Sequence, residues 1–222
     1  MDEAVFCSAA QRPAMGNPYE RFHLRRNPFG ELTRSERAEL AEVDIEPWLE
    51  ELRDPRSVLQ FLGACGHGKT THLLAVQRRL PGSLYVYLPP EPPRPALPEA
   101  RPLLVDEAQR LGWCERRRLL RGTGPLVLGS HVDLTRPLCR AGFRVRTVEV
   151  SAGMSTMRLA RLLNRRIEAS RSGDSPDIPR VDAELAATLL QRFGADVRRI
   201  EQHLYHQFQD AVEQGSSWQP AS

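Results

Sequence analysis

Residues 57–80 constrain this chain more than any other stretch. Ser57-Val58-Leu59-Gln60-Phe61-Leu62 is an apolar run of strand length. Gly63-Ala64-Cys65-Gly66-His67-Gly68-Lys69-Thr70 then fits G-x-x-x-x-G-K-[ST] in full, and helical spacing at Leu73, Val76 and Leu80 follows until Pro81-Gly82. A strand feeding a glycine loop and then a helix predicts an α/β fold. Loop N–H groups and the helix N-terminus would converge on phosphate. Of the 31 basic residues, 30 are arginine and one is lysine, Lys69, inside this loop. A slim ammonium can slip between the β- and γ-phosphates of a nucleotide, where a planar guanidinium would crowd the loop. Thr70 then offers a hydroxyl to Mg²⁺.

A chain of 222 residues can hold one substantial core and a small second domain. No apolar stretch approaches the ~20 residues of a membrane-spanning helix. Met1-Asp2-Glu3 lacks the features of a signal peptide. Cys7, Cys65, Cys114 and Cys139 show no metal or disulfide spacing, so a reducing cytoplasm is expected. Residues 1–55 carry 7 basic and 12 acidic side chains, residues 56–150 carry 15 and 7, and the remainder 9 and 9. Within the positive middle, Arg116-Arg117-Arg118 and Arg121 read as a solvated helix face, with nucleic acid or a subunit interface as alternatives.

Residues 1–16 read as a flexible tail. Asn27-Pro28-Phe29-Gly30 is a turn carrying one large ring. Thr33 and Glu36 form a capping box, and the helix they open is expected to run towards Leu52 with a break near Glu46-Pro47. Leu84–Leu88 is a second strand. Seven prolines in the fourteen residues 89–102 then exclude a helix and predict a stiff, extended connection. Pro102–Glu107 is a buried strand ending in two carboxylates, and Pro125–His131 and Arg144–Val150 are further strands. From Ser151 the pattern is helical only: Leu159, Leu162, Leu163 and Ile167 share a face. So do Leu185, Leu189 and Phe193, then Val197, Ile200, Leu204 and Phe208. The parse is a core over residues 17–150 with an N-terminal helical segment, a helical unit over 151–215, and a flexible tail over 216–222. Trp48 and Trp113 read as packing residues, and His203 and His206 as solvated histidines without a third metal ligand.

A phosphate loop needs a partner for magnesium and water. Asp106 ends an apolar strand, suiting it to hold Mg²⁺, and Glu107 beside it is positioned to act as general base. With the loop, Leu103-Leu104-Val105-Asp106-Glu107, a polar residue ending the next strand and a helical C-terminal unit, the chain resembles AAA+ ATPases over about residues 25–210. Phe193-Gly194-Ala195-Asp196-Val197-Arg198 is similar to the Gly-Asp-x-Arg opening of the lid helix in that family.

The resemblance implies a P-loop NTPase core of AAA+ type with a small C-terminal helical lid. It implies ATP held by Gly63 to Thr71, including Lys69, and Mg²⁺ held through Thr70 and Asp106. By the same resemblance Arg198 is sensor 2 and reaches the γ-phosphate. Ser130 is sensor 1, with His131 a near rival. Arg140 is the arginine finger, with Arg136 an alternative and Arg144 close by. Asn27-Pro28-Phe29 resembles the element that packs near adenine in bacterial AAA+ ATPases of the transposition and secretion type. The proline-rich stretch departs from the family, whose cores mostly carry a helix there.

The activity so implied is hydrolysis of Mg-ATP to drive a conformational or assembly change in a partner complex. The partners are further copies of the chain, DNA or a second protein component, with no membrane insertion. A nucleotide-gated binding module with negligible turnover, or a small-molecule kinase, are the other readings.

Overall fold

The computed structural model describes residues 16–99, 101–122 and 124–218. Cys7 and nearly all of the expected N-terminal tail lie outside them. Five strands form one sheet in the order β2-β3-β4-β1-β5: β1 Ser57–Leu62, β2 Leu84–Tyr87, β3 Leu103–Asp106, β4 Leu126–Ser130 and β5 Arg144–Glu149. All pairings are parallel, so every strand leaves the sheet at the same edge. At that edge Leu62 pairs with Ser130 and with Glu149, and Tyr87 pairs with Asp106. Chemistry-bearing loops of such sheets gather at this carboxyl edge.

Alternation along the strands builds two apolar layers. Val58, Leu103, Val105, Leu126 and Leu128 face one side. There they pack with Leu119 of α4 (Trp113–Arg121) and Leu138 of α5 (Thr135–Arg140). Leu59, Phe61, Leu104 and Val127 face the other side. They meet Leu73, Ala75 and Val76 of α3, Lys69–Arg79. Trp48 packs edge-on against Phe61 at 5.6 Å, as expected of a packing residue.

The capping box at Thr33 is present, but its helix, α1, covers only Arg34–Glu39. Residues 40–45 are irregular before the short α2, Glu46–Leu49, so the break comes earlier than the sequence suggests. Beyond the Leu40 N–H, which still bonds the Glu36 carbonyl at 2.9 Å, residues 41–44 continue no helix. Instead Arg165 donates to the carbonyls of Glu39 and Ala41, and Arg158 to that of Glu42. The proline-rich connection carries no helix among its described residues.

Three longer helices follow: α6 Thr156–Ala169, α7 Ala183–Phe193 and α8 Val197–Glu213. Their apolar faces enclose a separate core of Leu159, Leu163, Ile167, Leu189, Ile200 and Phe208. Leu24 and Phe29 are part of this core, and Leu24 bridges Arg171. The segment before Thr33 therefore belongs with the C-terminal helices rather than with the sheet. Trp218, in the stretch expected to be a tail, packs on Phe29 and Phe208 at 6.0 and 5.6 Å; residues 219–222 lie outside the described ones. Among the described residues no helix is long and apolar enough to cross a membrane.

Candidate functional site

The glycine loop, α1, α6 and α8 enclose a cavity of about 790 Å³. Cys65, Gly66, Gly68, Lys69, Thr70 and Thr71 line its floor. Gly66 and Gly68 take φ of 84° and 93°, which wraps the backbone into a concave turn ahead of α3. Gly66 is also crowded: a Cβ there would stand 2.1 Å from Oδ1 of Asp196. Lys69 is buried, and its Nζ donates to the carbonyls of Gly63 and Ala64, both at 2.9 Å. Each is a weak neutral partner, which an anionic oxygen would outcompete.

Asp106 and Glu107 stand opposite. Asp106 is buried; its Oδ2 accepts from Thr70 Oγ1 at 2.6 Å and from the Tyr85 hydroxyl at 2.8 Å, and its Oδ1 accepts from the Glu107 N–H at 3.0 Å. The bond to Thr70 joins the two residues expected to hold a metal. Their hard oxygens fit Mg²⁺, which binds through one or two protein ligands, phosphate and water. Gly129 on β4 makes room, since a Cβ there would lie 2.8 Å from Asp106 Oδ1. Tyr85 carries no motif signal. It reaches Asp106 because β2 and β3 are paired, and burial, then the Asp106 charge, push its phenol up and keep it protonated as a donor.

Glu107 has φ 60°, a left-handed conformation unusual for its type. The sharp turn out of β3 brings Glu107 to the cavity lining. The carboxylate is nevertheless engaged: Gln109 Nε2 donates to it at 2.7 Å, and Arg110 pairs with it at 3.0 Å. Arg110 itself donates to the Leu88 carbonyl at 2.7 Å.

The roof comes from residues distant in sequence. Asp196 caps α8 by accepting from the Arg199 N–H at 3.1 Å, which sets the start of that helix against Gly66. Arg198 thereby lines the cavity, and its Nη1 donates to Cys65 Sγ at 3.5 Å. Leu162, Val197 and Tyr205 provide an apolar wall. Gly30, from the turn after Asn27, closes the side together with Glu31, Arg37 and Leu40, which bear no sequence signal. Arg166 is also unmarked in sequence, yet it is buried: it donates to the Pro28 carbonyl at 3.0 Å and to that of Gly30, and it pairs with Glu201. One guanidinium thus ties the N-terminal turn to both α6 and α8.

Other expected site residues are placed differently. Phe29 lines the cavity, whereas the Asn27 side chain is spent on its own turn, accepting from Phe29 N–H at 3.0 Å and donating to the Tyr205 carbonyl at 3.1 Å. Ser130 is fully buried; its hydroxyl donates to the Val132 carbonyl at 2.7 Å and accepts from the Val132 N–H at 3.0 Å. His131, Gly63 and Ala64 instead line a second, open hollow with Asp133 and Glu149. His67 is in neither lining, and its Nδ1 is buried without a hydrogen-bond partner among the described residues. Arg136 and Arg140 are exposed on α5, outside the cavity, and Arg144 on β5 pairs with Asp54. His203 packs against Phe193 with the rings tilted at 48°, and among the described residues no group of three ligating side chains surrounds it or His206.

No protein-family model matches the chain, and no curated protein is detectably similar to it.

Proposed function

We propose that this chain is an AAA+-like ATPase whose α6–α8 unit acts as a nucleotide-sensing lid. The observation that carries the reading is the cavity in which Lys69, Thr70 and Glu107 face Arg198 across one floor and one roof. Its volume suits a nucleotide. The position of β4 between β1 and β3 also supports it, since that order sets the end of β4 between the glycine loop and the Asp106 carboxylate. Lys69 would leave the loop carbonyls for the β- and γ-phosphates. Thr70 and Asp106 would hold Mg²⁺, which supplies charge neutralisation of the phosphates when bound. Glu107 takes the proton of the attacking water, and Arg198 couples the γ-phosphate to α8. Arg140, remote from the cavity of its own chain, would serve a neighbouring copy. DNA or a second protein remains the partner class, as the resemblance implies.

A second reading, a nucleotide-gated module with negligible turnover, is favoured by the ion pair that holds Glu107 and by the turn that consumes the Ser130 hydroxyl. ATP binding and phosphate release by Glu107→Gln separate the two. The ATPase reading expects unchanged binding and a loss of turnover of ~10²-fold or more. Wild-type turnover in that variant removes Glu107 from the role. No turnover in the wild type, with or without DNA, leaves the binding module. ADP formation without phosphate release, seen only with an added small acceptor that takes up the phosphoryl group, makes it a kinase.

A further inference from the structure

Trp113 is among the most solvent-exposed large apolar side chains of the described residues, at 71%. The sequence places it as a packing residue, and the structure corrects that. It opens α4, whose inward residue is Leu119. Trp113, Arg117 and Arg121 recur every fourth residue, so they form one stripe on the side of the helix away from Leu119. The Arg117 guanidinium lies 5.3 Å from the centre of the indole, which leaves the other face of the ring to solvent. An exposed indole costs hydration free energy and does nothing for the core.

The surroundings are cationic and largely unneutralised. Among the described residues no carboxylate pairs with Arg116, Arg117 or Arg121; Arg116 donates only to the Gln109 carbonyl, at 3.0 Å. Arg94 reaches the neighbouring Arg110 carbonyl at 2.7 Å, which adds a cation from the proline-rich connection. Three nearby carboxylates are already committed. Glu99 pairs with Arg118, Glu107 pairs with Arg110, and Glu115 caps α4 by accepting from the Gly112 N–H at 2.7 Å. A cationic stripe beside one exposed aromatic face suits alternating charge and flat rings. Those are the phosphates and unpaired bases of a single nucleic-acid strand. An acidic peptide would use the arginines and leave the indole idle. A duplex keeps its bases stacked inside and would also leave it idle.

We infer that the outer face of α4 binds single-stranded nucleic acid, with a base stacked on Trp113 and phosphates on Arg116, Arg117 and Arg121. The surface does not line the nucleotide cavity, so binding stands or falls apart from ATP hydrolysis. The test is anisotropy of a labelled oligothymidylate of about 12 nucleotides, within the usual site size, titrated with the full chain across a salt series. Three phosphate contacts predict a slope of log K against log salt of about −2. Arg116→Ala/Arg117→Ala/Arg121→Ala should flatten that slope towards zero. Trp113→Ala should weaken binding about tenfold through lost stacking. Trp113→Phe should keep most of the affinity while abolishing the quench of tryptophan fluorescence on binding. Lys69→Ala, which lacks the nucleotide contact, should bind the strand as the wild type does. All three surface variants alter exposed side chains, and unchanged melting curves verify their fold. The inference is overturned if the strand does not bind, or if the triple variant keeps the wild-type slope. Full affinity in Trp113→Ala overturns it too. So does equal binding of a duplex or of polyglutamate, the latter marking the face as a site for acidic protein.

Discussion

Releasing Glu107 from Arg110 should speed the proposed hydrolysis. In the structure the carboxylate is 17% exposed and the guanidinium 26%, with 3.0 Å between them. A hydrogen bond to a charged group contributes about 1.5–3 kcal/mol. Partial solvent access reduces that to about 1–2 kcal/mol for this pair. If Glu107 must leave Arg110 before it takes a proton, that cost sits in the barrier to turnover. At about 1.36 kcal/mol per factor of ten, its removal corresponds to about five- to thirtyfold. Arg110→Gln is the suitable change, because the amide can still donate to the Leu88 carbonyl that Arg110 now serves. Steady-state phosphate release at saturating ATP should rise by that factor, while nucleotide affinity stays constant. In a Glu107→Gln background the same change should have no effect. Turnover that falls or stays unchanged in Arg110→Gln would refute the latch, and the pair would then be positioning the base.

Lys69→Arg should bind ATP about ten- to a hundredfold more weakly, since the wider head cannot take the place Lys69 holds against the Gly63 and Ala64 carbonyls; equilibrium binding of a fluorescent ATP analogue checks it. Arg198→Ala should leave ATP affinity within a few-fold but abolish any difference between ATP-analogue and ADP states in protease protection of α8. Wild-type protection in both states of the variant would sink that. His72 is buried against Phe61, and burial lowers its pKa from the usual 6.5 to about 4. Between those values the unfolded chain binds the extra proton, so stability is complete above pH 6.5 and falls as pH drops towards 4. The loss is about 3 kcal/mol at the lower end. Denaturant midpoints of wild type and His72→Asn should converge as the pH falls through that window; a constant gap would contradict it.

Much of this architecture lies in local spacing. The boundaries of β1 and α3, the capping box at Thr33 and the apolar faces of α6 and α8 follow from periodicity and turn chemistry within a dozen residues. So does the loop motif that brings Lys69 and Thr70 together. Tertiary structure alone decided the rest, because the partners are far apart in the chain. Sheet order put Tyr85 on Asp106, and Arg166 found carbonyls 136 and 138 residues away. The burial of Phe29 with Trp218 packed against it, and the exposure of Trp113 on α4, depend on which helix faces which. A periodic pattern shows that a residue has a face; only packing determines whether that face meets protein or water. Ser130 and Glu107 make the same point at the site, since each sits at a strand end as its pattern requires. What their oxygens bind is set by Val132 in one case and by Gln109 and Arg110 in the other. A hydrogen-bond partner is fixed by ångström-scale geometry, to which residue spacing along the chain is blind.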